Sequence, residues 1–371
     1  MSPRNRRILQ LVGYLGALGL MAWAGKIVLS DDNREALDRL GEAGAPSIAG
    51  LVALAVGSLI ANGLAFWLVI RPVRKIDALG VISVNAVATL LAYLPFKLSI
   101  VARATVHKAR DGLPVVMTGA WMAATSATVL IGLGAAGVSA WLLGSIGWVF
   151  GLLTAVIAVT CIAATVWGGR FISGREGLHR LRALARAIRL SAITEKVMRT
   201  GAFRHAHDGA GMLASPIAMG GAVVARLADI ALTSARFAIA AAAVGVSLDP
   251  AGAVALAIAY FVTGATSPVG MVGTREAAAV ATASVFGLGG TGTEHEAFLL
   301  VALVVTAAEL VTALGGAALG FVLLGPSAFR GKGLPPSEAA GEPDPNEAPS
   351  TPTPTIAADA DRAGANEPDG R

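Results

Sequence analysis

Long uninterrupted runs of apolar residues constrain the fold of this 371-residue chain more than any other feature. A helix needs about 20 apolar residues to cross the roughly 30 Å hydrocarbon core of a bilayer. Hydrophobic side chains make up 55% of the chain and charged side chains only 14%, which excludes an ordinary soluble domain. The sequence therefore predicts an all-α polytopic membrane protein. Six runs predict full transmembrane helices: residues 8–29, 48–70, 115–140, 148–168, 214–246 and 297–324.

The first and fifth of these runs differ from a simple span. The run at 8–29 follows a basic N-terminus, as in a signal peptide, but it is long enough to span and further spans follow it. We therefore interpret it as an uncleaved first helix. The run at 214–246 is too long for one straight span and contains Arg226, Asp229 and Arg236. We expect its first turns to stand out of the membrane or to line a cavity.

Two shorter apolar runs, at 79–94 and 251–266, predict re-entrant helical hairpins rather than full spans. Each run is about 16 residues long, which is short for a span. Each ends at helix-breaking residues and is followed by a second helical segment. The freed backbone groups would be unsatisfied in lipid, so they must be surrounded by protein or water. The breaks are Pro95 in the first hairpin and Pro268, Gly270 and Gly273 in the second.

The distribution of lysine and arginine supports the hairpins and predicts the orientation. With both termini in the cytoplasm, most basic residues lie inside, in agreement with the positive-inside trend. A full crossing by residues 79–101 would export Arg103, Lys108 and Arg110, whereas a hairpin keeps them in the cytoplasm. The second hairpin would enter from the other side and meet the first near the midplane, where broken helices form transporter sites. The chain is thus predicted to be a multi-pass protein of the cell membrane, with eight full spans as the alternative topology.

The sequence divides into a predicted integral membrane domain at 1–330 and a tail at 331–371. The tail is rich in Pro, Glu, Asp and Ala, and it should be disordered because it has almost nothing to bury. Within the membrane domain, residues 170–209 form a basic cytoplasmic loop with a predicted amphipathic helix. The basic face of that helix either binds anionic lipid headgroups or belongs to a solvated linker. The face consists of Arg175, His179, Arg182, Arg186 and Arg189.

Two adjacent charged residues, Arg275 and Glu276, stand between two of the most apolar segments. Neighbours on a helix point about 100° apart, so each side chain needs a partner of its own. If Thr274 caps the following helix, Glu276 lies in the first turn, where the helix dipole favours an anion. Arg275 then requires a lipid phosphate or an acid such as Asp229 or Glu309. The alternative is that both charges lie at the headgroup level and only fix the depth of the hairpin.

The segments around both breaks resemble the flippase-like membrane domain family of the lysylphosphatidylglycerol synthetases. The resemblance covers residues 8–325 and depends on "VNAVATLLAYLPFKLSIVARA" and "SPVGMVGTREAAAVATASVFGL". The chain differs from the family pattern at Ser99 and Ile100, where the family usually has glycine and an acid. No synthetase domain is attached, so the resemblance implies the handling of a lipid rather than its aminoacylation. The matching residues are Pro95, Lys97 and Arg103 in the early segment and Pro268, Gly270, Gly273, Arg275 and Glu276 in the late one.

The resemblance and the charge pattern together predict a site for an anionic lipid or lipid-linked group. We expect the protein to bind or translocate this group through a midplane cavity formed by the two broken helices. The alternative is a noncatalytic membrane scaffold of the cell envelope with the same fold, which would use the tail or the basic loop to bind a partner. The predicted site residues are Lys97, Arg103, Asp229, Arg275, Glu276 and Glu309.

Other chemistries lack support in the sequence. No nucleophile and base occur at a workable spacing, so we do not expect an enzyme. The segment from His205 to Asp208 has metal-like spacing but no second cluster of ligands, so no metal or other cofactor is predicted. The basic residues flank apolar segments, which argues against nucleic-acid binding. Homo-oligomerisation and a cytoplasmic or envelope protein partner of the tail are left open.

Overall fold

The computed structural model describes residues 38, 41–94, 98–187, 191–198, 200–267, 271, 273–288 and 294–325. These residues form helices and no strand. The first predicted span and the tail lie outside the described residues, as do Pro95, Lys97, Arg189, Pro268 and Gly270. The twelve helices of the described part are α1 (Gly44–Ile70), α2 (Ala78–Ala92), α3 (Leu98–Asp111), α4 (Val115–Leu143), α5 (Trp148–Ile172), α6 (Gly174–Ala187), α7 (Ser191–Met198), α8 (Gly201–Leu213), α9 (Pro216–Val244), α10 (Pro250–Thr266), α11 (Thr274–Phe286) and α12 (Glu294–Leu324).

Five described helices are long and apolar enough to cross a membrane, namely α1, α4, α5, α9 and α12. They coincide with five of the six predicted spans, so the all-α polytopic class is confirmed. The run at 214–246 forms one helix, α9, over Pro216–Val244. Its start is defined locally, because the Ser215 hydroxyl accepts from the backbone N–H of Ala218 and Pro216 occupies the first turn. Its end is equally sharp at Gly245, where φ is 82°.

The two short apolar runs form α2 and α10, and each is followed by a helix that folds back against it. In the first hairpin, α2 and α3, a Cβ atom at Gly80 would lie only 1.7 Å from Nη1 of Arg110. In the second hairpin, α10 and α11, a Cβ atom at Gly252 would lie 2.8 Å from Cδ2 of Leu288. In both cases the start of the first helix lies against the end of the second helix. We call this the open end of the hairpin, and the turn between the two helices is its tip. The predicted helical hairpins are therefore confirmed.

The two hairpins approach α12 from opposite ends. The open end of the first hairpin lies beside the C-terminal end of α12, where Leu324 packs against Val84 and Val106. The open end of the second hairpin lies beside the N-terminal part of α12, where Leu288 packs in the core that includes Phe298. The tips of the hairpins consequently meet near the midpoint of α12, which is Glu309.

The basic loop contains a helix, α6, over much of the predicted range. It begins after a sharp turn at Gly174, where φ is 71°, and it ends at Ala187. Gly177 and Ala185 are buried against the rest of the protein. The four predicted basic positions that are described, Arg175, His179, Arg182 and Arg186, are all exposed. The structure thus places a helix in this loop with its described basic positions on exposed sides, while Leu184 of the same helix is also exposed.

Candidate functional site

A cavity of about 310 Å³ lies between the tips of the two hairpins. Both hairpins contribute to its wall, and so do α1, α4, α9 and α12. Charged side chains are unusually frequent in this wall for a region built from apolar helices. The polar residues that line it include Ser58, Asn62, Tyr93, Arg103, Asp229, Thr233, Tyr260, Arg275 and Glu309.

Glu309 is the residue on which the two hairpins converge. Its Oε2 accepts hydrogen bonds from Nη1 of Arg275 at 2.7 Å and from the hydroxyls of Tyr260 at 3.0 Å and Tyr93 at 3.1 Å. Its Oε1 lies 3.7 Å from Nη1 of Arg236 on α9. One carboxylate therefore joins the tip of each hairpin to α9 and α12. Charge-assisted bonds of this kind are stronger than neutral ones, so Glu309 organises the wall of the cavity.

Arg275 is directed towards Glu309 by the backbone around the second break. Gly273 adopts a φ of 81°, which side chains rarely tolerate, and α11 begins directly after it. Gly264 on α10 leaves room for the guanidinium, because a Cβ atom there would lie 2.1 Å from Nε of Arg275. The guanidinium also stacks 4.3 Å from the centre of the Tyr260 ring. Thr274 does not cap the helix as predicted, since Gly273 is the N-cap and the Thr274 hydroxyl donates to the Met271 carbonyl instead.

Glu276 points away from Arg275 and is fully buried. Its Oε1 lies at hydrogen-bond distance, 2.5 Å, from the hydroxyl oxygen of Thr306 on α12, and Thr306 in turn lies 2.8 Å from the Tyr260 hydroxyl. The two adjacent charges thus have separate partners, as the 100° angle between neighbours predicts. Both side chains lie within the helix bundle beside the middle of α12. That position differs from an anchor at the end of a span.

The charges on α9 form the opposite side of the same polar network. Asp229 pairs with Arg226 at 3.2 Å and also accepts from the Ser58 hydroxyl on α1. Arg236 donates to Thr233 at 2.7 Å and to Ser58 at 3.4 Å. Of the two acids considered for Arg275, the structure therefore pairs it with Glu309, while Asp229 has a partner on its own helix. Asp229 lines the cavity from the middle of α9 rather than from its first turns.

Arg103 differs from the other buried arginines because no described acid pairs with it. Its Nη2 donates to Oδ1 of Asn85 at 2.7 Å, and its guanidinium stacks 4.1 Å from the centre of the Phe66 ring. Only 8% of the residue is exposed, and the exposed part borders the cavity. A neutral amide and an aromatic face stabilise a cation less than a carboxylate does. Among the described residues, the cavity therefore contains one arginine without an acidic partner.

Glu276 is fully buried and does not line the cavity, although Thr306 connects it to the network around Glu309. The other predicted site residues that are described line the cavity, namely Arg103, Asp229, Arg275 and Glu309. Lys97 lies outside the described residues. Sequence reasoning missed the neutral members, namely Ser58, Asn85, Tyr93, Tyr260 and Thr306. It noted Arg236 as a charge in an apolar run but did not include it in the site. The available signal for each was a single polar residue in an apolar helix, which does not identify the helix that it faces.

The sequence model of the lysylphosphatidylglycerol synthase TM region matches residues 10–316, which is most of the chain. The chain belongs to this family. The family assignment confirms the resemblance that the two hairpin segments indicated, and it makes the chain a multi-pass membrane protein. No curated protein and no solved structure gave a match in the other two comparisons.

Proposed function

We propose that this protein binds an anionic lipid or lipid-linked group in the cavity between the two hairpins and translocates it across the membrane. The observation that carries the proposal is Arg103, a buried cation beside the cavity without an acid among the described residues. An ionisable group at membrane depth is costly unless it is paired or serves a site. An anionic headgroup would supply the missing counter-charge.

The position of the cavity supports a lipid rather than a water-soluble ligand. Four residues of its wall are exposed on the surface of the described structure: Leu94, Ile100, Ser126 and Ala265. Leu94 and Ala265 lie at the tips of the hairpins, and Ser126 lies near the middle of α4. An opening at this height faces the hydrocarbon core. A lipid could place its headgroup in the cavity and leave its acyl chains in the bilayer.

The proposed activity is binding and movement, without a covalent step. Its test is the removal of the Arg103 charge. In vesicles of phosphatidylglycerol and phosphatidylcholine, Arg103→Gln should lose co-purifying anionic lipid and should slow translocation of a headgroup-labelled anionic lipid. Arg103→Lys should retain part of both, because it keeps the charge but loses the planar fork. Native mass spectrometry measures the lipid, and a fluorescence-quenching assay measures translocation.

Lys108→Gln is the matched control, because Lys108 is an exposed cation on the same helix. This variant should behave like the wild type in both assays. If Arg103→Gln keeps its anionic lipid and translocates at the wild-type rate, the lipid site is wrong. The scaffold interpretation would then be favoured.

A further inference from the structure

The polar contacts between Glu276 and Glu309 contain one more hydrogen bond than their hydroxyls can supply. Glu276 Oε1 lies 2.5 Å from the Thr306 oxygen, which lies 2.8 Å from the Tyr260 oxygen, which lies 3.0 Å from Glu309 Oε2. Each of these three contacts requires one hydrogen. A threonine and a tyrosine provide one each. The third hydrogen must therefore belong to one of the two carboxyl groups.

The surroundings identify Glu276 as the group that carries this hydrogen. Glu309 has the surroundings of an ionised carboxylate, because Arg275 and Tyr93 also donate hydrogen bonds to it and the Arg236 guanidinium lies 3.7 Å away. No described cation pairs with Glu276, and its second oxygen, Oε2, is buried without a hydrogen-bond partner. An ionised carboxylate in that position would be expensive. A neutral carboxyl donates its hydrogen to Thr306 and leaves only an uncharged carbonyl oxygen without a partner, which costs less than a buried charge.

We propose that Glu276 is a buried proton-binding site and that Thr306 and Tyr260 connect it to Glu309 at the cavity. The hydrogens then run in one direction, from Glu276 to Thr306, from Thr306 to Tyr260 and from Tyr260 to Glu309. The groups that face this chain are Arg275 beside it on α11, Arg236 on α9 and Tyr93 at the tip of the first hairpin.

A shift of all three hydrogens along the chain moves the negative charge. The O–H bonds of Glu276, Thr306 and Tyr260 break, and new ones form on Thr306, Tyr260 and Glu309. Both hydroxyls are restored, Glu276 becomes a carboxylate and Glu309 becomes neutral. The new carboxylate lies in the first turn of α11, where the helix dipole lowers the cost of the anion. Arg275 and Arg236 lose their counter-charge at the same time.

This shift would free the guanidinium of Arg275, which lines the cavity, for an anionic headgroup. Proton position and headgroup binding would therefore be coupled. The coupling depends on the proposed function, because it needs an anionic lipid in the cavity. The buried proton does not, since it follows from the contacts of Glu276, Thr306, Tyr260 and Glu309 alone. The two ideas can consequently fail separately.

The buried proton is tested by infrared spectroscopy of the full chain in phosphatidylcholine vesicles at neutral pH. A protonated carboxyl has a carbonyl band separate from that of a carboxylate, and this band shifts in heavy water. The wild type should show such a band, Glu276→Gln should lose it and Glu309→Gln should keep it. The proposal is overturned if Glu276→Gln loses no such band, or if Glu309→Gln loses it instead. If Glu276→Gln fails to fold, two other measurements of the same band replace it. Labelling the glutamates of the wild type with a heavy carbon isotope must shift the band, and the band must also change position in Thr306→Val.

The connection through Thr306 is tested by the rate at which the same band shifts after transfer to heavy water. Glu276 is fully buried, so its hydrogen should exchange through the two hydroxyls. Thr306→Val removes the hydroxyl with little change in shape, and Thr306→Ser keeps it. Exchange should be severalfold slower in the valine variant than in the serine variant. Equal rates in the two variants would exclude this route.

Discussion

At the scale of single residues, the site is asymmetric in how its charges are compensated. Glu309 is shared by two guanidinium groups, since it contacts Arg275 at 2.7 Å and lies 3.7 Å from Arg236. Two tyrosine hydroxyls also donate to it. Loss of Arg275 leaves the carboxylate with three of its four neighbours. Loss of the carboxylate leaves two buried cations facing each other.

We therefore expect Glu309→Gln to destabilise the protein more than Arg275→Gln does. Removal of one partner from a buried ion pair typically costs about 3–5 kcal/mol, because the other charge is left uncompensated. Thermal unfolding of the purified protein in detergent measures the difference. Glu176→Gln is the control, since Glu176 is an exposed partner of Arg180 and such pairs contribute little. An equal loss of stability in Glu309→Gln and Arg275→Gln would contradict this asymmetry.

At the scale of helices, the first hairpin is held against α12 by close backbone packing. A Cβ atom at Gly320 would lie 2.8 Å from the carbonyl oxygen of Ser83 on α2. A Cβ atom at Gly316 would lie 3.5 Å from the Cβ atom of Ala86, which is also on α2. Small residues allow this approach, and in a membrane such contacts replace the hydrophobic driving force between helices. The position of Tyr93 and Arg103 at the cavity depends on this packing.

Gly320→Ala should consequently weaken the docking of the first hairpin. The new methyl group meets backbone, which cannot rotate away, and such overpacking costs about 1–3 kcal/mol. Gly315→Ala on the same helix is the matched control, because a Cβ atom there has nothing within 4 Å. The control should be neutral or slightly stabilising, since alanine favours a helix over glycine. Thermal unfolding of both variants distinguishes them, and equal melting temperatures would show that the hairpin adjusts to the methyl group.

At the scale of the whole molecule, the open ends of the two hairpins lie at opposite ends of α12. Lys108, near the open end of the first hairpin, is exposed, and so is Ser247, near the open end of the second. α12 is long enough to cross a membrane, so these two positions should lie on opposite sides of it. The positive-inside trend assigns the side with Lys108 to the cytoplasm.

A cysteine scan of intact cells tests this topology. In a Cys161→Ser background, a membrane-impermeant thiol reagent should label Ser247→Cys from outside and should label Lys108→Cys only after the membrane is opened. The two substitutions are at exposed positions, so both should preserve the fold. Three spans, α4, α5 and α9, separate the two positions. Labelling of Lys108→Cys from outside, with Ser247→Cys protected, would mean that the first hairpin crosses the membrane completely, which is the topology of eight spans.

The family, the helical class and the position of both hairpin breaks could be predicted from the sequence. Membrane spans are recognisable because hydropathy is a sum over consecutive residues and because the bilayer fixes the length required. Proline and glycine act locally on the backbone, so the breaks were also predictable. The two adjacent charges after the second break, Arg275 and Glu276, also indicated a polar site. An unpaired charge is costly at membrane depth, so the presence of a charge predicts that it has a partner without identifying that partner.

The partners themselves were decided only by the tertiary structure. Tyr93 and Glu309 are separated by 216 residues, and Arg275 and Glu309 by 34, yet one carboxylate binds both side chains. Which acid meets Arg275 depends on the rotation of α12 and on the depth of each hairpin, and packing between helices sets both. Local sequence does not encode that packing. The shared role of Glu309 and the hydrogen-bonded chain through Thr306 therefore arise only when the two hairpins meet at the middle of α12.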